Sequence, residues 1–290
     1  MIKYNPRNWF KLIFALHKSD TMLILWKELI YIGVFSLALA YLVLNFGSHI
    51  TVLNDLVAVY SLVGFVISLL LVFRTNTAYD RWWEGRKKWG GLVNESRNFS
   101  IKLSMLLKDS EDEKFFARMI PNFMFATKEH LRLGVDFEEL DLTPEELKEI
   151  SAKEHVPNAI VQKMYKRLHG LKLAGVMSEE EFRVLDGNLN AFLDHLGACE
   201  RIRNTPIPYS YMIFLKKFIF LYVSTLPLAF VSTFGYYSAI IATFIFYVLV
   251  SMELLAEEIE DPFGSDDNDL PTDGLCVKMK ANVEEILLNE

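Results

Sequence analysis

Two cysteines, Cys199 and Cys276, are all that 290 residues contain, and they form no CxxC pair. That excludes a readable disulfide framework and suits a reducing interior. A basic excess is also missing: 30 Lys and Arg stand against 37 Asp and Glu, a formal charge of −7. Without a basic run or face, nucleic acid is not an expected partner. The phosphate-cradling motifs GxGxxG and GxxxxGK[ST] are absent, as are GxSxG and HExxH. Six histidines, at positions 17, 49, 130, 155, 169 and 195, are scattered. Asp194-His195 lies near Cys199 and Glu200, and residues 195 and 199 share a helix face. With no oxyanion site and no second ligand cluster, the plainer reading is a buried thiol beside an ordinary helical histidine. No enzymatic activity and no obligatory cofactor are expected. Low-complexity linkers, internal repeats and alternating β-type segments are lacking too, and an apolar content of 52% argues against disorder.

What is present is segregated. From Glu253 to Glu290 there are 12 acids and 2 bases, a net of −10, so the preceding 252 residues sum to +3. Four apolar stretches reach the length of about 20 residues that a bilayer requires, at 22–46, 53–73, 212–234 and 236–252. The first two are joined by residues 47–52 and the last two by Gly235, links too short for a domain. They read as two membrane hairpins. Ala38-Leu39-Ala40 resembles a signal-peptidase site, but the apolar run continues to Phe46 and Lys27-Glu28 interrupt it early, which disfavours cleavage.

Orientation follows from the basic residues flanking the spans. Neither short link carries Lys or Arg. Lys3, Arg7, Lys11 and Lys18 precede the first span, Arg74, Arg81, Arg86, Lys87 and Lys88 follow the second, and Arg201 and Arg203 precede the third. Both termini and the middle region are therefore expected in the cytoplasm, in an inner or plasma membrane. The expected organisation is an N-terminal arm (1–21), a hairpin (22–73), a helical cytosolic region (74–211), a second hairpin (212–252) and an acidic tail (253–290).

The cytosolic region reads as helical. Trp82, Trp89, Leu92, Phe99, Leu103 and Leu106 recur at helical spacing. Pro121 is expected to open a helix over 122–133. Thr143-Pro144-Glu145-Glu146 is a capping signature, and Ser178 followed by three glutamates starts a helix reaching about Arg203. Pro206 and Pro208 must break it. In the second span Phe65, Leu69 and Phe73 recur every four residues with Ser61, one slowly drifting stripe. No breaker separates Phe73 from Arg74, so one long element should join membrane and cytosol. In the tail, Asp and Asn oxygens around Gly264 suit a hard cation such as Ca²⁺, or simply a solvated acidic loop.

Three of these segments carry a resemblance. Phe73-Arg-Thr-Asn-Thr-Ala-Tyr-Asp-Arg-Trp-Trp-Glu84, Thr205-Pro-Ile-Pro-Tyr-Ser-Tyr211 and Asp261-Pro-Phe-Gly264 followed by acids are similar, in this order, to signatures of the bestrophin family, prokaryotic branch. The resemblance covers roughly residues 5–285. It implies an all-α membrane protein in which four transmembrane helices per chain and a helical cytosolic region assemble as a homopentamer around one axial pore. On that pattern Phe65, Leu69 and Phe73 form a hydrophobic neck and Ile207 a cytosolic aperture. The acidic loop maps onto a calcium clasp of animal relatives, with Asp261, Asp266 and Asp269 as the candidate metal ligands. Ser265 stands where the calcium-gated members carry an acid, which counts against calcium control. The implied function is conduction of small ions, anions such as chloride in the first instance, with membrane lipids and further copies of the chain as partners. A monovalent-cation (sodium-type) channel of the same architecture and a non-conducting scaffold or sensor are the alternatives.

Overall fold

The second apolar run has no reason to stop at the membrane: no proline occurs between Leu56 and Leu106. A computed structural model describes residues 21–46, 56–107 and 109–288. In it that stretch is one helix of 51 residues. Residues 1–20 of the N-terminal arm, the 47–52 link and the first three residues of the second apolar stretch, 53–55, lie outside the described residues. In chain order the helices are α1 (Thr21–Phe46), α2 (Leu56–Leu106), α3 (Ser110–His130), α4 (Pro144–Ser151), α5 (Val156–Leu173), α6 (Glu179–Asn204), α7 (Tyr209–Phe234), α8 (Tyr237–Glu260) and α9 (Thr272–Leu288), with a 3-10 turn at Phe137–Glu139. No strand occurs among the described residues. The protein is all-helical.

The chain divides into two units, with α2 contributing to both. The first unit holds α1, the first half of α2, α7 and α8. Each of these four helices is long and apolar enough to cross a membrane. Ile32 of α1, Ile67 and Leu71 of α2, Leu215, Ile219 and Val223 of α7 and Phe246 of α8 form one buried cluster. The outward surfaces keep Tyr31, Phe46, Phe65, Phe220, Tyr237 and Phe244 largely exposed. So much bare apolar surface is stable only against lipid or further protein. A multi-pass membrane protein follows. Gly235 turns α7 into α8 at φ 54°, a left-handed conformation that side chains resist, and its N–H closes α7 on the Val231 carbonyl at 2.8 Å.

The second unit holds the rest of α2, α3 to α6 and α9. Its centre is aromatic. Phe99 meets Phe116 and Phe192 edge-on at 5.9 and 5.8 Å, and Phe123 stacks on Phe192 at 5.0 Å. The caps form as the sequence indicates. Thr143 with Glu146 and Ser178 with Glu181 are reciprocal capping boxes, and α6 ends at Asn204 before the two prolines. Pro121 behaves differently from expectation. It opens no helix but lies inside α3, which begins at Ser110 behind an Asp109 side-chain cap and an acidic first turn. The lost backbone bond costs about 3 kcal/mol. Burial of Phe116, Met119, Ile120, Phe123 and Met124, at about 1.5–3 kcal/mol each, outweighs it.

Candidate functional site

Helix α2 buries one face and bares the opposite one. Its buried residues Ile67, Leu71, Arg74 and Ala78 follow steps of four, three and four. At 100° per residue, Phe65, Leu69 and Phe73 lie about half a turn away from them. These three are 66%, 44% and 57% exposed in the single chain. The stripe is therefore surface that neither α1, α7 nor α8 covers.

Immediately after the stripe the chemistry changes. The Arg74 side chain is fully buried and donates from Nη2 to Glu260 Oε2 at 2.6 Å. Glu260 ends α8, and its other oxygen, Oε1, accepts the backbone N–H of Ile207 at 2.7 Å. The Glu260 carbonyl accepts Arg81 Nε at 3.2 Å. One carboxylate thus ties three segments: the helix carrying the stripe, the end of the last apolar helix and the Pro-flanked turn before α7. Because the pair is neutral as a unit and desolvated, it is a brace and not an ion site. Ile207 is 9% exposed, so the single chain shows only an edge of it.

The three acidic loop residues are placed unequally. Asp261 and Asp266 are exposed and line a recess of about 340 Å³ with Glu257 and Glu258. Asp269 belongs to the other unit and is 2% exposed. Its carboxylate closes over Gly264, where an added Cβ would stand 2.7 Å from Oδ2. The backbone folds back there, with Leu270 N–H donating to the Pro262 carbonyl at 2.9 Å.

Beyond the loop, α9 is pinned to the end of α3. Arg132 donates to both oxygens of Asp273 at 2.9 and 2.7 Å, and buried Lys128 reaches Glu129, Glu139 and Asp273. The Arg132 hydrogen bond, with Lys128 adding to it, holds the Asp273 carboxyl well below its ordinary range. Burial alone would lower Lys128, but its hydrogen bonds to Glu139, Asp273 and Glu129 prevail and raise it. The tryptophans divide. Trp89 is buried with its ring 6.3 Å from Phe263, Trp82 Nε1 donates to the Asn268 carbonyl at 3.0 Å, and Trp83 is 45% exposed beneath Lys87.

Of residues 195 and 199, the cysteine is buried and the histidine half-buried. Burial pushes the Cys199 thiol up to about 12 and, with Lys88 nearby, pulls His195 down. The His195 ring occupies the space over Gly91, where a Cβ would come within 2.5 Å of it. A convergence that local spacing does not reveal lies elsewhere. His130 and His155 both direct Nε2 at Glu200 Oε1, at 2.8 and 2.7 Å.

Comparison with known proteins agrees with this architecture. The family described as "Bacterial/Fungal Bestrophin protein" matches residues 1–285. The voltage-dependent anion channel-forming protein alr2987 of Nostoc sp. is 32% identical, over 97% of this chain and 92% of its own length. The voltage-dependent anion channel-forming protein YneE of Escherichia coli K12 is 34% identical, over 95% and 90%. The crystal structure of a bacterial bestrophin homologue from Klebsiella pneumoniae superposes with a TM-score of 0.82 at 28% identity, covering 92% of this chain and 98% of that one.

Proposed function

From the premise that this chain belongs to the bacterial and fungal bestrophin family, a family of ion channels, we propose that five copies enclose one axial pore that conducts small anions such as chloride. The observation that carries this reading is the bare stripe of Phe65, Leu69 and Phe73, half a turn from the buried face of α2. Cyclic symmetry turns one stripe per chain into stacked rings. An apolar ring gates by dewetting: an ion crossing it sheds water and receives no replacement ligand, so the barrier to passage sits there. Ring edges are weakly positive and tolerate an anion better than a cation. The Arg74–Glu260 brace fixes where the rings end and holds the Ile207 turn, whose five edges form the second constriction. Two hairpins cross the inner or plasma membrane, with both termini in the cytoplasm. Calcium is no part of this mechanism.

A second reading rests on the recess of Glu257, Glu258, Asp261 and Asp266. Four acids facing the ion path would enrich cations and make the same pore a monovalent-cation channel. Native mass in mild detergent and reversal potential under a salt gradient in planar bilayers test both. A pentamer whose reversal potential follows chloride supports the anion channel, and one that follows sodium supports the cation channel. A monomer or dimer in every detergent, or a pentamer with no conductance, leaves a scaffold or sensor.

A further inference from the structure

We propose that His130, His155 and Glu200 form a binding site for a divalent late transition cation of the zinc class in the cytosolic unit. The three residues come from rigid elements. His130 ends α3, His155 is the N-cap of α5, and Glu200 lies in α6. Arg203, one turn after Glu200, donates to the His130 carbonyl and so ties α6 to the end of α3. One potential ligand atom from each of the three lies within 4.8 Å of the others, and the imidazole centroids are 4.5 Å apart. Tetrahedral zinc at about 2.0–2.2 Å from its donors spaces them roughly 3.3 Å apart. The observed separations of 2.8 and 2.7 Å need open by only about half an ångström. The side chains are 29%, 33% and 27% exposed, so an ion can enter and retain a water as fourth ligand.

The donor chemistry selects the metal. Two imidazoles and one carboxylate suit zinc, cobalt, nickel or copper, whereas calcium and magnesium prefer an all-oxygen shell. Binding also has a structural cost that makes it testable. His155 Nδ1 accepts the Asn158 N–H at 3.3 Å, so Nε2 carries the proton donated to Glu200. A metal on Nε2 needs that lone pair. The proton shifts to Nδ1, and the long capping bond is given up.

Two substitutions separate metal binding from folding. His155→Asn keeps an N-cap acceptor, since Asn is among the best caps, and removes the imidazole. His130→Gln keeps an N–H aimed at Glu200. Full-length pentamer or protomer in detergent, stripped with chelator, is titrated with ZnCl₂ by calorimetry, and Co²⁺ is followed by its visible absorption. The site predicts one zinc per chain, tetrahedral cobalt bands, no competition by Ca²⁺ or Mg²⁺, and affinity at least about tenfold weaker in either variant. Zinc should raise the melting temperature of the wild type and leave both variants unmoved. Absence of cobalt bands in the wild type, or equal zinc affinity in wild type and variants, overturns the proposal.

Discussion

Replacing Glu260 by Gln is the sharpest test of the brace. The exchange is nearly isosteric and removes one charge from a pair whose side chains are 0% and 9% exposed. Breaking a buried pair from one side costs about 3–5 kcal/mol, because the remaining charge stays desolvated. Here the remaining charge is Arg74, whose Nε and Nη1 already find no hydrogen-bond partner among the described residues. The amide oxygen of Gln can still accept either Arg74 Nη2 or the Ile207 N–H, but not both with the original strength. Glu260→Ala removes both acceptors and adds the orphaned Ile207 N–H, a further 1–3 kcal/mol or so. At roughly 2–4 °C per kcal/mol, Glu260→Gln should melt about 10 °C below wild type in detergent, and Glu260→Ala lower still. The double variant Arg74→Met, Glu260→Gln should regain much of the loss, since no buried charge is left alone. A Glu260→Gln protein that melts with the wild type, or a double variant less stable than the sum of its parts, refutes the brace.

Other expectations are narrower. Leu69→Ala and Phe73→Ala should raise chloride flux per channel in liposomes, and because these side chains are exposed in the protomer, its melting point should hardly move; unchanged flux in both removes them from the barrier. On the proposed pore Ile207→Ala should also raise flux but, because Ile207 is buried, it should cost stability toward the about 2–5 kcal/mol range of core truncations, read as a lower melting temperature. Millimolar Ca²⁺ should give little or no calorimetric heat, and Asp266→Ala and Asp269→Ala should leave that result unchanged; a clear wild-type isotherm abolished by either variant would restore the acidic loop as a calcium site. Finally, Asp273 is depressed in the fold, so its contribution is complete above the ordinary carboxyl value near 4 and fades as pH falls through the lower native value. Acid should therefore loosen α9, and Cys276, buried with its thiol pushed up to about 12, should react faster with an acid-active disulfide reagent near pH 3 than near pH 6, as seen in its peptide mass.

Much of the local architecture was written in short-range spacing. Thr143 with Glu146 and Ser178 with Glu181 are three residues apart, and their capping boxes follow from that distance. The pair of prolines at 206 and 208 ends α6 by covalent geometry alone. The stripe on α2 is likewise a matter of counting in fours. Long-range pairs carry no such sign. Arg74 and Glu260 are 186 positions apart, and His130 and His155 reach Glu200 across 70 and 45. Local spacing points instead to His195 and Cys199, which the fold uses as packing. Pro121 misled for a related reason: proline discourages a helix locally, and only the tertiary burial around it reverses that preference.

The unbroken run of α2 makes its length as constrained as any of its side chains. Leu71, Ala78, Leu92 and Phe99 face inward at multiples of seven residues, and so do Trp89, Ser96 and Leu103. The exposed stripe is phased against that same lattice. One residue inserted between Phe73 and Trp89 would change the phase of Trp89 and Phe99 relative to Phe65 and Phe73 along the helix by about 100°. Inserting a whole heptad would shift the phase by only about 20°. Where a loop between the two halves would let sequence length drift freely over generations, this helix admits changes only in near-multiples of two turns, so divergence should appear as substitutions within it and as insertions everywhere else.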